Sequence, residues 1–142
     1  RVRMPRPHRV VLHQGAVGVG LALDDGRCLN AVQFGNKILT HPDTKRPLNE
    51  INIANWREIL ILAARCCDMT GLEYLGTDLV LDSQRGPQLL ELNARPGLAI
   101  QVANGIGLLP RLRHIEALSD KLHASADQRV DYVMTQFAGI PH

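Results

Sequence analysis

Aromatic residues are scarce in this chain of 142 residues: two phenylalanines, two tyrosines and one tryptophan make up 4% of it. The formal net charge of +2 is also too small to indicate binding to nucleic acid or to a membrane surface by itself. Both features argue against a nucleic-acid-binding protein. The arginines at positions 1, 3, 6 and 9 keep a nucleic-acid-binding fragment as a minor alternative to a solvated arm.

Cysteines and long apolar runs are also few. The three cysteines are Cys28, Cys66 and Cys67, an odd number in which no pair has metal-ligand spacing. Cys66 and Cys67 fall in a helical pattern, which favours a packing role over a redox pair. We therefore expect free thiols and a reducing, cytoplasmic compartment. No apolar run approaches the length that spans a bilayer, so no membrane span is expected in this chain.

The sequence does contain enough apolar material for a folded core. Apolar residues make up 45% of the chain and charged residues 21%, which is typical of a globular protein. The length suits one domain. The chain opens at Arg1, in what has the pattern of mid-domain sequence. We therefore expect a single partial domain over residues 1–142.

The most informative stretch runs from Gly71 to Gln101 and has the pattern of a strand, a tight turn and a second strand. Apolar residues surround Asp78 in the first strand, and the second strand carries Glu91 and Asn93. Side chains alternate faces along a strand, so Glu91 and Asn93 share a face, and Asp78 can share it too. Two carboxylates and an amide oxygen form the oxygen-only site that Mg²⁺ prefers when phosphates supply its other ligands.

An exposed face of an antiparallel hairpin is the alternative interpretation of these acids. Leucines at positions 89, 90 and 92 flank Glu91, however, and indicate an otherwise buried run. A buried, unpaired carboxylate is costly, and a bound metal ion removes that cost. On this argument we favour a metal site.

Turn and capping signals predict the elements that precede this stretch. Asp24-Asp25-Gly26 predicts a hairpin with a return strand over residues 27–34, and residues 40–52 predict a surface loop. Asn55 and Glu58 form a capping-box pattern for a helix over about residues 56–69, which Gly71 ends. The predicted buried stripe of this helix consists of Trp56, Ile59, Leu60, Ala63 and Cys67.

The C-terminal part of the chain predicts a loop followed by two helices. Residues 94–107 predict the loop, and Pro110 predicts a helix start within residues 109–118. Ser125 and Gln128 form a second capping-box pattern, for a helix over about residues 127–137. This combination of hairpins and helices predicts an α+β fold, with a mainly antiparallel sheet and helices packed on one face.

The segments GTDLVLD and LLELNARPG resemble the end of the ATP-grasp fold. They are similar to α-L-glutamate ligases that modify ribosomal protein tails, and most similar to sugar-transfer-associated ATP-grasp domains. The resemblance implies that this chain is the C-terminal lobe, without the N-terminal lobe. It also implies an ATP- and Mg²⁺-dependent carboxylate–amine ligase that acts through an acyl phosphate, with two Mg²⁺ ions held by Asp78, Glu91 and Asn93.

The same resemblance assigns further residues to the nucleotide and to catalysis. The segment RVVLHQG resembles one in which an arginine, here Arg9, reaches the terminal phosphate and a glycine-rich lid follows. Gly15 and Gly18 are then lid residues that bind the nucleotide, as does Leu90 beside the metal ligands. Arg95 is a second catalytic candidate, since a guanidinium there could hold a substrate carboxylate or an acyl phosphate bidentately. A surface arginine on a loop, with no role in substrate binding, is an equally good interpretation of Arg95.

One departure from the family pattern keeps a second function open. Val11 stands where the related segment has an asparagine, which favours a non-catalytic nucleotide-binding or scaffold module. The resemblance places the phosphate-binding lysines in the other lobe, so we expect this chain alone to be inactive. The implied partners are ATP, a carboxylate substrate and an amine acceptor, either an amino acid or a peptide.

Three other positions have weaker signals. His41, followed by Pro42 and Asp43, resembles a motif of the sugar-transfer-associated branch to which the sequence assigns no mechanism. Gln101 and Asn104 lie past the Pro-Gly turn and could line an acceptor pocket or cap a helix.

Overall fold

The structure, a computed structural model, describes residues 15–105, 107–118 and 124–138. Its strands are β1 (Gly18–Leu21), β2 (Cys28–Gln33), β3 (Asn36–Lys37), β4 (Gly76–Asp82) and β5 (Gly86–Asn93). Its α-helices are α1 (Trp56–Thr70), α2 (Gln101–Asn104), α3 (Leu109–Glu116) and α4 (Ala126–Gln136). Two short 3₁₀ turns, Leu48–Glu50 and Leu98–Ile100, connect them.

The described strands form two separate antiparallel sheets. The first has the order β1-β2-β3, and the second is the β4-β5 hairpin. The α+β class and the antiparallel pairing are confirmed, with the strands divided between two sheets. None of the described helices is long and apolar enough to cross a membrane.

The first hairpin turns at Asp24-Asp25-Gly26, as predicted. Gly26 has φ +75°, a conformation that glycine adopts without steric cost. Arg27 donates its backbone N–H and its guanidinium to Asp25, and these bonds hold the pKa of that carboxyl below its ordinary value. The Asp-Asp-Gly signal therefore predicted where the chain turns and which residues stabilise the turn.

Helix α2 packs on the first sheet at Gly20. A Cβ on Gly20 would lie 2.8 Å from the Cα of Asn104 and would meet the carbonyl oxygen of Ala103. Ala103 is almost fully buried there. The prediction of a loop over residues 94–107 is therefore wrong at residues 98–104. A single helical turn is too short to leave a periodic pattern in the sequence.

Helix α1 begins at Trp56 as predicted, but its predicted cap is wrong. Asn55 has φ +55° and its side chain makes no capping hydrogen bond, so the Asn55–Glu58 capping box does not form. A capping residue usually has extended backbone, which aims its side chain at the first amides of the helix. The predicted stop is confirmed, since Gly71 has φ +68° and donates to the carbonyl of Cys67.

The buried side of α1 differs in part from the predicted stripe. Ile59 and Cys66 are the buried residues, whereas Trp56, Leu60, Ala63 and Cys67 are half-buried. Cys66, and not its neighbour, therefore faces the core. The indole N–H of Trp56 donates to the carbonyl of Leu23 at 3.0 Å and ties the helix to the first hairpin.

Helices α1 and α4 pack together and are joined by charged side chains. Arg57 binds Asp131 at 2.8 Å, and Arg129 binds Asp68 at 2.6 Å and the carbonyl of Ala64. The capping box at the start of α4 is confirmed, as is the start of α3 with proline in its first turn.

The core of the described residues is made of small and medium side chains. Its buried members are Ala22, Ala31, Leu48, Ile59, Cys66, Ala103, Ala126, Val130 and Phe137. Several larger apolar side chains are exposed instead, and the β4-β5 hairpin carries four of them, Val80, Leu81, Leu89 and Leu90. This hairpin carries the residues that the sequence assigns to a metal.

Candidate functional site

A tight turn sets the pairing of β4 with β5. The carboxylate of Asp82 accepts hydrogen bonds from the backbone N–H groups of Gln84 and Arg85, at 2.9 and 2.8 Å. These two bonds hold the pKa of Asp82 below its ordinary value. Gly86 follows with φ +73° and starts the return strand. The Asp82 side chain therefore closes the turn, and the register that starts there continues as far as the Leu79–Leu89 pair.

The register opposes the two acids of the hairpin. Asp78 pairs directly with Glu91, and Gly76 pairs with Asn93. Directly opposed residues of an antiparallel pair point to the same face, with Cβ atoms about 4.5–5.5 Å apart. Asn93 shares that face because it lies two residues from Glu91. The three oxygen-bearing side chains of Asp78, Glu91 and Asn93 thus project from one face.

A β-bulge lies beside these residues. The pairing passes from Asp78–Glu91 to Leu79–Leu89, so Leu90 is the extra residue of β5. Bulges bend a strand, increase its twist and are frequent next to active sites, where they re-aim side chains. The side chain of Leu90 is 62% exposed. Two adjacent leucines before Glu91 break the alternation of the strand, and this break is the sequence signal from which the bulge could have been found.

The expected burial of this strand is wrong. Asp78, Glu91 and Asn93 are exposed, and Leu89 is exposed as well. In the described residues β4 and β5 pack mainly on each other, so no layer covers the leucines. The cost of a buried carboxylate therefore gives no argument for a metal here. The arguments that remain are the register and the oxygen-only donor set.

The loop after β5 folds back onto the hairpin. The side-chain oxygen of Asn93 accepts a hydrogen bond from the backbone N–H of Arg95 at 3.1 Å, and Pro96 lies against Gly76. An amide oxygen has two lone pairs, so Asn93 keeps one acceptor position for another partner. Arg95 itself is exposed. Its position directly after the three oxygen donors suits a group that would bind an anionic substrate.

Other predicted site residues lie elsewhere in the chain. Arg9 falls outside the described residues. Gly15 has φ +95° and its carbonyl accepts a hydrogen bond from the side chain of Gln33 at 2.8 Å. Gly18 begins β1 and pairs with Val32. The structure thus places the metal candidates and Leu90 on the second hairpin, with Arg95 in the loop that follows it. Gly18 lies in the first sheet, and Gly15 lies in the turn that precedes β1.

The acceptor-pocket candidates Gln101 and Asn104 both lie on α2. The amide of Asn104 donates to the side-chain oxygen of Gln101 at 3.1 Å. Each side chain is half-buried. The pair therefore satisfies part of its own hydrogen-bonding capacity within one helical turn.

The donor set fits magnesium better than a transition metal. Transition metals are usually held by three or more His, Cys, Asp or Glu side chains. Within residues 15–105, 107–118 and 124–138, no such group of three is close enough together to hold an ion. Asp78, Glu91 and Asn93 together offer fewer ligands than a site in which the protein alone surrounds the ion. Mg²⁺ is usually bound in this way, by one or two carboxylates with substrate phosphates completing its shell.

The profile of the sugar-transfer associated ATP-grasp family matches residues 2–117. This chain belongs to that family. The matched range includes the glycine-rich segment and the whole β4-β5 hairpin. Membership implies an ATP-binding fold of the ligase type. No curated protein and no solved structure matches the chain, so the resemblance to α-L-glutamate ligases rests on the sequence motifs alone.

Proposed function

We propose that this chain is the C-terminal lobe of an ATP- and Mg²⁺-dependent carboxylate–amine ligase of the α-L-glutamate ligase-like type. The observation that carries the proposal is the direct pairing of Asp78 with Glu91, with Asn93 on the same face. Two like charges placed face to face in a hairpin are destabilising. A divalent cation between them reverses that cost, which explains why a strand pair would keep both acids.

The reaction has two steps that conserve atoms and charge. The substrate carboxylate attacks the terminal phosphorus of ATP, and ADP leaves with formation of an acyl phosphate. The amine then attacks the acyl carbon, phosphate leaves, and the nitrogen loses a proton. Bound Mg²⁺ would supply electrostatic stabilisation of the phosphoryl oxygens.

Residues of this chain would bind and orient the reactants. Asp78, Glu91 and Asn93 would hold the ion, and Leu90 would offer an apolar contact to the nucleotide. Arg95 would bind the substrate carboxylate or the acyl phosphate with paired N–H donors. Arg9 would neutralise charge on the terminal phosphate, and Gly15 and Gly18 would belong to the lid that excludes water. An N-terminal lobe would complete the ATP site.

A non-catalytic nucleotide-binding module is the second candidate. Val11, in place of the asparagine of related ligases, is the observation that favours it. A valine side chain has no hydrogen-bonding group to offer a phosphate or a metal ligand. The two functions differ in one measurement on a protein that carries both lobes. A ligase converts ATP to ADP once a carboxylate is present and turns over repeatedly when an amine is added, whereas the module binds Mg-ATP without forming ADP.

The metal site is tested on this chain by Mn²⁺ broadening of backbone amide NMR signals in the presence of ATP. We expect the signals of residues 76–78 and 91–95 to broaden first. Asp78→Asn and Glu91→Gln keep the side-chain shape, remove one charge each, and should weaken the effect at least about tenfold, since even outer-shell changes cost that much. Asp82→Asn is the matched control, because Asp82 lies about 13 Å farther along the same strand. Equal broadening in all three variants would remove the metal assignment.

A further inference from the structure

Gly76 begins β4 on the face that carries the oxygen donors. It pairs directly with Asn93, and directly opposed residues share a face. It also lies two residues before Asp78, which puts both on the same side of the strand. The pairing is regular from Gly76 to Asp78, since the bulge comes only after Asp78. One continuous face is therefore formed by Gly76, Asp78, Glu91 and Asn93.

The glycine at position 76 is required by space and not by backbone conformation. Its φ is not positive, so a side chain there would meet no backbone strain. A Cβ at Gly76 would lie 2.8 Å from the Cβ of Pro96 and 3.4 Å from the Cβ of Asn93. The first distance is too short for two carbon atoms in contact, which lie about 3.5–4.0 Å apart. Pro96 thus occupies the space that a side chain at position 76 would fill.

This contact brings the loop after β5 back over the oxygen face. A Cβ at position 76 would point to that face, so the Pro96 that it would meet lies on the face as well. Pro96 is half-buried there, whereas Asn93 is exposed. Gly76 and Asn93 lie at the end of the hairpin away from its turn. Pro96 therefore closes that end of the face.

A short series of constraints connects Pro96 to the side chain of Asn93. Proline fixes its own φ and disfavours helical backbone at the preceding residue, here Arg95. The backbone N–H of Arg95 donates to the side-chain oxygen of Asn93 at 3.1 Å. A bond from an asparagine side chain to the amide two residues on holds that side chain against its own backbone. The position of Pro96 therefore determines where the Arg95 N–H points, and this N–H orients the Asn93 oxygen.

We propose that Gly76 is a positioning residue for the oxygen site and acts through Pro96 on Asn93. With no side chain at position 76, Pro96 packs on the hairpin and the Asn93 amide is held in one orientation. The second lone pair of its oxygen then faces an ion bound by Asp78 and Glu91. This proposal rests on the metal site proposed above, and it gives a role there to two residues whose side chains contribute no ligand.

The test measures Mn²⁺ binding to the whole chain with ATP present, from the electron paramagnetic resonance signal of free Mn²⁺. Gly76→Ala should weaken binding about tenfold, as changes to residues that orient metal ligands do. Gly97→Ala is the matched control, because it adds the same methyl group next to Pro96, where no atom of the described residues lies within 4 Å. The control should bind Mn²⁺ as tightly as the original protein.

A double-mutant cycle with Asn93→Ala distinguishes positioning from a general loss of structure. Because Gly76 acts through Asn93, adding Gly76→Ala to Asn93→Ala should change the Mn²⁺ affinity by less than about twofold. A general loss of structure would weaken binding in both backgrounds. Pro96→Gly removes the ring without adding bulk, and it should also weaken binding about tenfold and lose this effect in the Asn93→Ala background. If Gly76→Ala does not fold, Pro96→Gly carries the cycle alone.

The metal assignment and the positioning role fail in different ways. If Asp78→Asn leaves the Mn²⁺ affinity unchanged, the metal assignment falls and the positioning role falls with it. If Asp78→Asn weakens binding whereas Gly76→Ala and Pro96→Gly do not, only the positioning role is overturned. Equal weakening by Gly76→Ala with and without the Asn93→Ala change also overturns the positioning role alone.

Discussion

Gly20 of β1 lies directly beneath the carbonyl of Ala103, so that the single turn of α2 rests on bare backbone. This contact joins the segment after β5 to the first sheet. No side chain larger than hydrogen fits at position 20 unless α2 moves. Gly20 therefore determines whether α2, in the segment after the second hairpin, can pack on the first sheet.

We expect Gly20→Ala to lower the free energy of unfolding by about 1–3 kcal/mol, the usual cost of overpacking a core. Urea unfolding followed by circular dichroism measures it. Gly97→Ala is the matched control, because no atom lies within 4 Å of a Cβ at Gly97. The control should change stability by less than about 0.5 kcal/mol. Equal stabilities of the two variants would contradict the close contact at Gly20.

The two capping-box patterns of the sequence should behave differently on mutation. Ser125 and Gln128 exchange both capping hydrogen bonds, at 3.3 and 2.9 Å, so Ser125→Ala should cost about 1 kcal/mol. Asn55 makes no side-chain cap and has φ +55°, so Asn55→Gly should be within about 0.5 kcal/mol of neutral. Thermal unfolding of both variants checks this, and a large loss for Asn55→Gly would show that its side chain does cap α1.

The capping patterns also show how far the sequence could predict the fold. Turns, helix starts and helix stops were found where a local signal sufficed, as at Gly26, Gly71 and Pro110. The same pattern failed at Asn55, because its left-handed backbone does not suit a capping side chain. Short elements such as α2 were missed, since four residues carry no period.

The Arg57–Asp131 pair should make stability depend on pH at the acid end. The guanidinium of Arg57 donates to Asp131 and holds the pKa of that carboxyl below its ordinary value of 3.8. A depressed folded-state pKa stabilises the protein above the unfolded pKa, near 3.9, and this contribution is lost as the pH falls through the folded pKa. Arg57→Gln should raise the pKa of Asp131 towards its ordinary value.

An NMR titration of the Asp131 carboxyl carbon from about pH 6 to about pH 2 measures this shift. Arg65→Gln is the control, because Arg65 lies on the same helix and contacts Asp127 without touching Asp131. The control should leave the titration of Asp131 unchanged. Titration of Asp131 at its ordinary value in the original protein would show that the pair does not persist in solution.

The sequence was enough to predict which side chains of the candidate site share a face, but not whether those side chains are buried. Alternation along β5 was enough to put Glu91 and Asn93 on one face. The bulge at Leu90 is what brings Asp78 opposite Glu91, because the register set by the turn at Asp82 alone would pair Asp78 with Leu90. Burial was not predictable, because it depends on which distant elements cover a hairpin. The role of Asp78, Glu91 and Asn93 in metal binding stays a prediction.

The β4-β5 hairpin has only two strands, so within the described residues each of them is an edge. Among the strands that the structure describes, none pairs with the outward-facing N–H and C=O groups of β4 or β5. A further strand could add to either side without breaking any bond already present, and exposed leucines would gain cover as it did so. The hairpin can thus accept a further strand at either edge by β-augmentation. Because a second copy of the chain could supply that strand, a preparation of this chain is best kept dilute until both edges are paired.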